Sequence, residues 1–376
     1  MAKTILGIDI GHDQLKLALV RNKKVVKTVS AAMPENLLRE GRIVSRESMS
    51  DLVRSTLKQN GIRVSDAAFV ISNETAYVKN VETPLMSAEQ LEYNLPFEFN
   101  DYITGDTQDY IFDYAVLSSP ETDKASRQKK KNAKKEKGRK NKTAEKESRD
   151  SETFENQSED SPWEENASSE EPSSLQLMVV CCQRSIIEDA QDALRKAGLR
   201  LRIAAPAICA YIALLRNRED LMNSETEEFG ILDLGYAAIR MYMFHKDQHV
   251  ATRVLEIGLS TLDNVISDLY GVDVHLAHTY LMTNYGGCQE RAECITSYEN
   301  IAVELMRALN FYRFSNPDSV LSDIWLCGGG AVIRPLTDAI GEMLDVRLHP
   351  AAELVPGGDT IEDCNSFVQA VGITMG

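Results

Sequence analysis

Two stretches of the chain carry residues suited to phosphate chemistry. Residues 5–20 read ILGIDIGHDQLKLALV and residues 229–244 read FGILDLGYAAIRMYMF. Each is an apolar run that ends in Asp-x-Gly (Asp9 and Gly11; Asp233 and Gly235) and then sets off again as an alternating strand, which predicts a β-hairpin with a carboxylate at its tip. Glycine at such a tip lets backbone N–H groups approach an anion with no Cβ in the way. The neighbouring carboxylate can hold a hydrated magnesium ion, which takes oxygen ligands and keeps several waters. One Asp-x-Gly alone is ordinary turn chemistry; the duplication is what gives it weight. Lys16 follows Asp9 at the same offset at which Arg240 follows Asp233, and Leu15, Leu17 and Leu19 match Ile239, Met241 and Met243. Both cations fall on the face opposite the aliphatic alternation, where a solvated basic residue is normal and a shared anion-binding role is the sharper reading. A third motif, Gly328-Gly329-Gly330, follows the apolar residues 324–327. It would let backbone lie flat against an adenine and ribose, or would simply join a strand to a helix.

The elements that must position these residues read as two copies of one pattern. After the first hairpin come a strand over 25–31 and an amphipathic helix over 49–60 closed by Gly61, a β-β-β-α opening. The second hairpin is likewise followed by a third strand, over 250–256, and by a helix from Gly258 to about 269. An internally duplicated α/β fold of two lobes follows. Between the hairpins, strands are expected over 67–72, 75–81 and 110–117. Ser87 and Gln90 have the spacing of a capping box for a helix over 88–95, which Pro96 ends. Ser185 and Glu188 suggest a second capping box for a helix stopped by Gly198, and Pro206 suits the first turn of a helix reaching 215. Helices over 274–285, 298–313, 331–344 and 365–371, with strands over 324–327 and 346–348, complete the chain. The expected division is 1–70 for the first lobe, 71–117 for a small inserted subdomain, 118–174 for a charged insertion, 175–215 for the return to the first lobe, 216–355 for the second lobe and 356–376 for a helix closing the first.

Composition bounds the function. The chain has 376 residues, 43% of them hydrophobic, and a net charge of −16, enough for two cores. Residues 118–174 have almost no aliphatic side chains: a basic block over 124–146 precedes an acidic one over 147–171, a polyampholyte expected to be disordered. It carries nearly equal numbers of each charge, so the net acidity belongs to the rest of the chain. With no interleaved aromatics and no apolar neighbour, the basic block argues for neither nucleic acid nor a membrane surface. The seven cysteines include no Cys-x-x-Cys and are expected to be free thiols. The six histidines offer no metal-ligand spacing. No apolar run is long enough to span a bilayer, and no leader precedes the first strand, which places the protein in the cytoplasm.

In this order of motifs the chain resembles the actin, hexokinase and Hsp70 superfamily of two-lobed nucleotide-binding proteins. Within it the chain is similar to the type IV pilus assembly protein PilM family, related to FtsA. The resemblance rests on GIDIGHDQLKLALV, AYVKNVETPLMSAEQLEYNLPFEF, DYIFDYAVL, ALRKAGLRLRIAAPAICAYIAL and WLCGGGAVIRPLTDAI, the small-subdomain stretches being the specific ones. It implies an α/β, duplicated actin-like (ribonuclease H-like) two-lobed ATP-binding fold with a small inserted α+β subdomain. ATP and magnesium would then be the cofactors. Asp9, Gly11 and Lys16 would meet phosphate and metal from one lobe and Asp233 and Gly235 from the other, the two aspartates through water. Gly328, Gly329 and Gly330 would meet the adenosine. Gly258 stands where the family has a Gly-Gly pair, with Leu259 in place of the second glycine.

The chain also departs from the pattern. His12 and Tyr236 replace the Ser or Thr that usually follows these glycines. His12 could hydrogen-bond phosphate or be an exposed turn residue; Tyr236 reads as packing. No Glu or Gln identifies itself as orienting a water for hydrolysis, so binding is expected with weak or no ATPase activity. The implied function is a cytoplasmic scaffold of a type IV pilus, competence or type II secretion-like machine. It would sit at the inner face of the membrane through its partner, the cytoplasmic amino-terminal tail of a PilN-like inner-membrane protein. The expected partner site is a groove between the first lobe and the small subdomain, around Tyr77, Leu95, Phe97 and Phe99, although Leu95, Phe97 and Phe99 could equally be subdomain core. An ATP-hydrolysing enzyme or small-molecule kinase of the same superfamily is the alternative. Self-association stays open.

Overall fold

The computed structural model describes residues 4–118, 174–222 and 227–376, and the charged stretch expected over 118–174 lies, but for its end residues, outside the described residues. The chain forms two compact units. The larger comprises the chain up to Tyr77, Gln108–Ile111 and everything from Cys182; the smaller comprises Val78–Thr107 and Phe112–Cys181.

Along the chain the elements are β1 (Thr4–Ile10), β2 (Gln14–Arg21), β3 (Lys24–Ala32), the short pair β4 (Leu38–Arg39) and β5 (Arg42–Ile43), α1 (Arg46–Gln59) and β6 (Asp66–Ile71). Then come β7 (Ala76–Pro84), α2 (Ala88–Asn94), β8 (Tyr110–Ser118), β9 (Ser174–Gln183), α3 (Arg184–Lys196), β10 (Arg200–Pro206) and α4 (Ala207–Arg216). The second half holds β11 (Glu228–Leu234), β12 (Ile239–His245), β13 (Gln248–Leu255), α5 (Leu259–Tyr270), α6 (Val274–Thr283) and α7 (Ala292–Ser315), followed by β14 (Asp323–Cys327), α8 (Arg334–Met343), β15 (Arg347–Pro350) and α9 (Cys364–Gly372).

Within the larger unit the duplication is complete at the level of topology. One five-stranded sheet has the order β3-β2-β1-β6-β10 and the other β13-β12-β11-β14-β15. In each, the hairpin and its third strand pair antiparallel, while the last two strands run parallel to the first. β1 and β11 lie in the middle of their sheets, which is why they read as near-continuous apolar runs. Each lobe closes over its own core: Leu6, Ile8, Leu17, Met49, Val53 and Phe69 are among the residues of one, and Met241, Leu262, Ile266, Leu305 and Ile340 among those of the other. The terminal helix α9 returns to pack on α4, β1 and β2. This is a duplicated, two-lobed α/β fold.

Some boundaries differ from the expected ones for local reasons. Helix α1 starts before its first apolar residue because Ser45 is the cap, accepting from Ser48 N at 3.2 Å. The expected capping box at Ser185 is absent: β9 runs into α3 with Gln183 at the cap position and no side-chain cap, so Ser185 falls inside the first turn. Residues 331–344 divide into a 3-10 turn (Gly329–Val332) and α8, because Pro335 is tolerated only in the first turn of a new helix.

In the smaller unit three strands pair in the order β7-β9-β8. The capping box of α2 is present, with Ser87 Oγ accepting from Gln90 N at 3.3 Å and Gln90 Oε1 accepting from Ser87 N at 2.8 Å. A 3-10 turn (Leu95–Phe99) carries Pro96 at its start. No described helix is long and apolar enough to cross a membrane, and all seven cysteines are free.

Candidate functional site

The two hairpins place their charged residues by register alone. Asp9 is directly opposite Lys16 across β1 and β2, and Asp233 directly opposite Arg240 across β11 and β12. Each aspartate sits near the carboxyl end of a strand flanked by a parallel neighbour, the end at which open α/β sheets bind ligands. Both ends open into one cleft of about 90 Å³, walled by Asp9, Gly11, His12 and Lys16 from one hairpin, Asp233, Gly235, Tyr236 and Arg240 from the other, and Gly328 and Gly329.

Burial dominates the electrostatics. Asp9 is pushed up to about 6, first by burial, with Lys16 opposing and Asp233 and Asp13 adding to the rise. Asp233 is raised by burial against the pull of Arg240, Lys16 and a hydrogen bond from Gln369. Gln369 Nε2, on α9, donates to Asp233 Oδ2 and to the Tyr211 hydroxyl, each at 2.8 Å, tying the second hairpin to the terminal helix. Lys16 is only 8% exposed and therefore not the solvated residue that its position on the strand suggested. Among the described residues the side chains of Lys16 and Arg240 make no hydrogen bond and no ion pair within 4.0 Å. A buried lysine and a half-buried arginine thus face one cleft without a bonded counter-ion, an arrangement suited to an incoming anion.

The donor set also limits any metal. The described residues contain no group of three or more His, Cys, Asp or Glu side chains able to hold an ion. Asp9 and Asp233 fit a hydrated, magnesium-like cation that completes its shell with water and ligand oxygens.

The remaining predicted residues divide. Gly328 has φ +86, and a Cβ there would meet Asp233 Oδ1 at 2.6 Å and Leu234 O at 2.7 Å, so only glycine fits beside the carboxylate. Gly330 is buried against Leu234 and Leu259, behind the cleft wall. Gly258 is buried too: its Cβ would meet Tyr236 O at 2.1 Å. Beside it, Leu259 N donates to Gly235 O at 3.1 Å and Ser260 N to Tyr236 O at 3.0 Å. Gly258 thus supports the second hairpin's turn from below, while Leu259 reaches the cleft. His12 Nε2 lies 3.2 Å from Glu74 Oε1, and that hydrogen bond raises the imidazole and lowers the carboxyl.

Sequence reasoning missed Glu74 and Gln369, both in the cleft wall. Glu74 follows the carboxyl end of β6, the strand parallel to β1, a position that the topology rule could have flagged. It also missed a clasp between the lobes. On α6, His278 Nδ1 is 2.9 Å from the buried Asp263 and its Nε2 is 3.7 Å from Asp13 on the first hairpin turn. One turn earlier on the same helix, His275 Nε2 is 2.6 Å from Glu35 Oε1, also of the first lobe. Tyr236 packs edge-on against His278, with centroids 5.6 Å apart.

Of the expected partner residues, Leu95 and Phe99 are 2% and 0% exposed and belong to the smaller unit's interior, the alternative reading for them. Phe97 is 58% exposed and meets the exposed Tyr93 edge-on at 5.9 Å, while Tyr77 is borderline at 36%.

A family model described as type IV pilus assembly protein PilM matches residues 7–144 and 165–353. The chain belongs to the PilM family. Among solved structures, the PilM-PilN type IV pilus biogenesis complex is similar over 98% of this chain and 97% of the other, with TM-score 0.72 and 20% identity. The ethanolamine utilization protein EutJ from Carboxydothermus hydrogenoformans is similar over 99% and 89%, with TM-score 0.56 and 12% identity. No curated protein matches. At these identities the two structures speak for the fold, and the PilM assignment rests on the family model.

Proposed function

We propose that this PilM-family chain is an actin-like scaffold that binds a magnesium nucleotide between its lobes and a PilN-like membrane protein through its smaller unit. The nucleotide reading is carried by the duplicated acid-base register: Asp9 opposite Lys16 and Asp233 opposite Arg240, with both cations unpaired among the described residues. Lys16 and Arg240 would neutralise phosphate oxygens, the Gly11 and Gly235 turns would offer backbone N–H groups, and Asp9 and Asp233 would hold the hydrated cation. Gly328 and Gly329 would let backbone approach the nucleoside. The bound cation would supply charge neutralisation; what the chain itself does is bind and orient.

The partner reading draws on the similarity to the PilM-PilN complex. The net charge of −16 favours a tail rich in Lys or Arg, with on-rates that fall as salt rises. Phe97 and Tyr93 supply the exposed aromatic surface. A protein held this way would lie at the inner face of the membrane without crossing it.

The test is thermal melting with magnesium-ATP and magnesium-ADP. A nucleotide at about 100 times its Kd should add about 2.7 kcal/mol of stability, and Asp9→Ala or Asp233→Ala should remove the shift. An unchanged wild-type melt at millimolar nucleotide, with no heat by calorimetry, would refute the nucleotide reading and leave the fold standing. Titration of amino-terminal peptides of the neighbouring membrane protein tests the partner: binding equal for wild type and Phe97→Ala would refute this placement.

A further inference from the structure

The cleft contains an anion that the phosphate reading leaves unused. Glu74 sits in the loop after β6, and its carboxylate meets the His12 imidazole at 3.2 Å. His12 is the residue directly after Gly11, so its side chain stands at the mouth of the turn whose N–H groups would hold phosphate. Arg240 reaches the same space from the second hairpin: both His12 and Glu74 feel its charge. The pair lies nearer the opening than the cleft's inner residues, with side-chain exposures of 33% and 27%, whereas Lys16 is 8% and Asp233 6% exposed. An anion that filled the turn would therefore have its inner charge on Lys16 and its outer charge against Glu74.

We propose that Glu74 is an internal counter-ion that takes the place of a terminal phosphoryl group beside His12, so that the cleft accepts a nucleoside diphosphate in preference to a triphosphate. The proposal rests on the nucleotide reading of the cleft. A diphosphate uses the turn N–H groups, Lys16 and Arg240 and leaves the His12–Glu74 pair intact. A triphosphate adds a doubly charged group that meets the Glu74 carboxylate, and it must break the pair to reach His12. Glu74 thus acts as a specificity-determining residue, and the replacement of Ser or Thr by His12 gives it something to bind.

Calorimetric titration of the full chain with magnesium-ADP and magnesium-ATP, on wild type and on Glu74→Gln, tests this. Wild type should bind ADP more tightly. The variant should move the ATP-to-ADP affinity ratio toward ATP by about fivefold or more, the tenfold-per-1.4 kcal/mol equivalent of removing about 1 kcal/mol of like-charge repulsion at about 4 Å in water-like surroundings. Glu74→Ala, which cannot replace the hydrogen bond to His12, should move the ratio in the same direction and covers the case in which the Gln variant fails to fold. A wild type that prefers ATP, or a ratio unmoved in the folded variants, overturns the proposal. Loss of ATP turnover with the ratio unmoved would do so by assigning Glu74 to orienting water. If neither nucleotide binds wild type or variants, the nucleotide reading fails, and this inference with it, a result distinct from tight binding with an unmoved ratio.

Discussion

Replacing Asp9 by Asn should make the protein more stable and unable to hold its ligand. Asp9 is held at about 6, against 3.8 for an open carboxyl, because burial outweighs the attraction of Lys16. At pH 7.5 the wild-type carboxylate is ionised in both folded and unfolded chains, and the folded chain carries the cost of keeping it charged. At about 1.36 kcal/mol for each pH unit of displacement, that cost is roughly 2–3 kcal/mol, an upper figure because cleft water still reaches the side chain. Asn copies the neutral acid and removes the cost. The sign in pH follows from the raised value: wild-type Asp9 contributes stability below about pH 4, where both states are protonated, and loses it as pH rises through about 6. The advantage of Asp9→Asn should accordingly be near zero at pH 4, grow between pH 4 and 6, and stay constant above. With roughly 1–2 °C for each kcal/mol in a chain of 376 residues, the melting temperature at pH 7.5 should rise by about 3 °C. Calorimetric melts across that range, with and without magnesium-ADP, give both readouts: the ligand shift should be present in wild type and absent in the variant. A variant less stable than wild type at pH 7.5, or one whose advantage does not depend on pH, would show that Lys16 compensates the charge fully and that the carboxylate is structural.

Gly328→Ala should cost roughly 2 kcal/mol or more and weaken nucleotide binding, since its φ of +86 and the 2.6 Å approach to Asp233 Oδ1 leave no room for a methyl group; an unchanged melt would show that the turn relaxes freely. His278→Gln should lower stability more at pH 5.5 than at pH 8.5, by about 1–2 kcal/mol at the lower pH. The hydrogen bond to Asp263 raises His278, with Asp13 adding to the rise, so its charged contribution is full below about 6.5 and fades as pH climbs through the higher folded value; equal losses at the two pH values would refute the clasp. Leu95→Ala should cost about 2–4 kcal/mol and Phe97→Ala less than about 0.5 kcal/mol, because one is 2% and the other 58% exposed, yet only Phe97→Ala should lose partner binding while the protein stays folded. Chemical unfolding of both variants beside peptide titration separates the two effects.

Much of the fold was legible because it is local and repeated. The alternation in residues 5–20 and 229–244 fixes two hairpins, and two copies fix a two-lobed molecule whose sheets turn out to share one strand order. What stayed hidden were boundaries set by competition between neighbours. The first turns of α7, over Ala292–Ser297, bury only Cys294 and leave the adjacent Ile295 exposed, so the apolar period announces the helix only from Tyr298. Ser185 and Glu188 have the right spacing for a cap, but β9 continues to Gln183 and leaves no room for one.

The site was legible to the same extent and for the same reason. An antiparallel hairpin converts a fixed sequence offset into direct opposition, so the matched spacing of Asp9 with Lys16 and Asp233 with Arg240 was already a statement about space. Nothing comparable links Gln369 to Asp233 across 136 residues, or Glu74 to His12 from a different strand. Those contacts arise only when α9 returns to the first lobe and β6 settles parallel to β1. The offset also says which residues face each other but not how deeply they are enclosed. Lys16 looked like a solvated strand residue because alternation assigns it to the polar face. In an isolated hairpin that face meets water; here the second lobe and α9 cover it, and the same side chain becomes an enclosed cation facing the cleft.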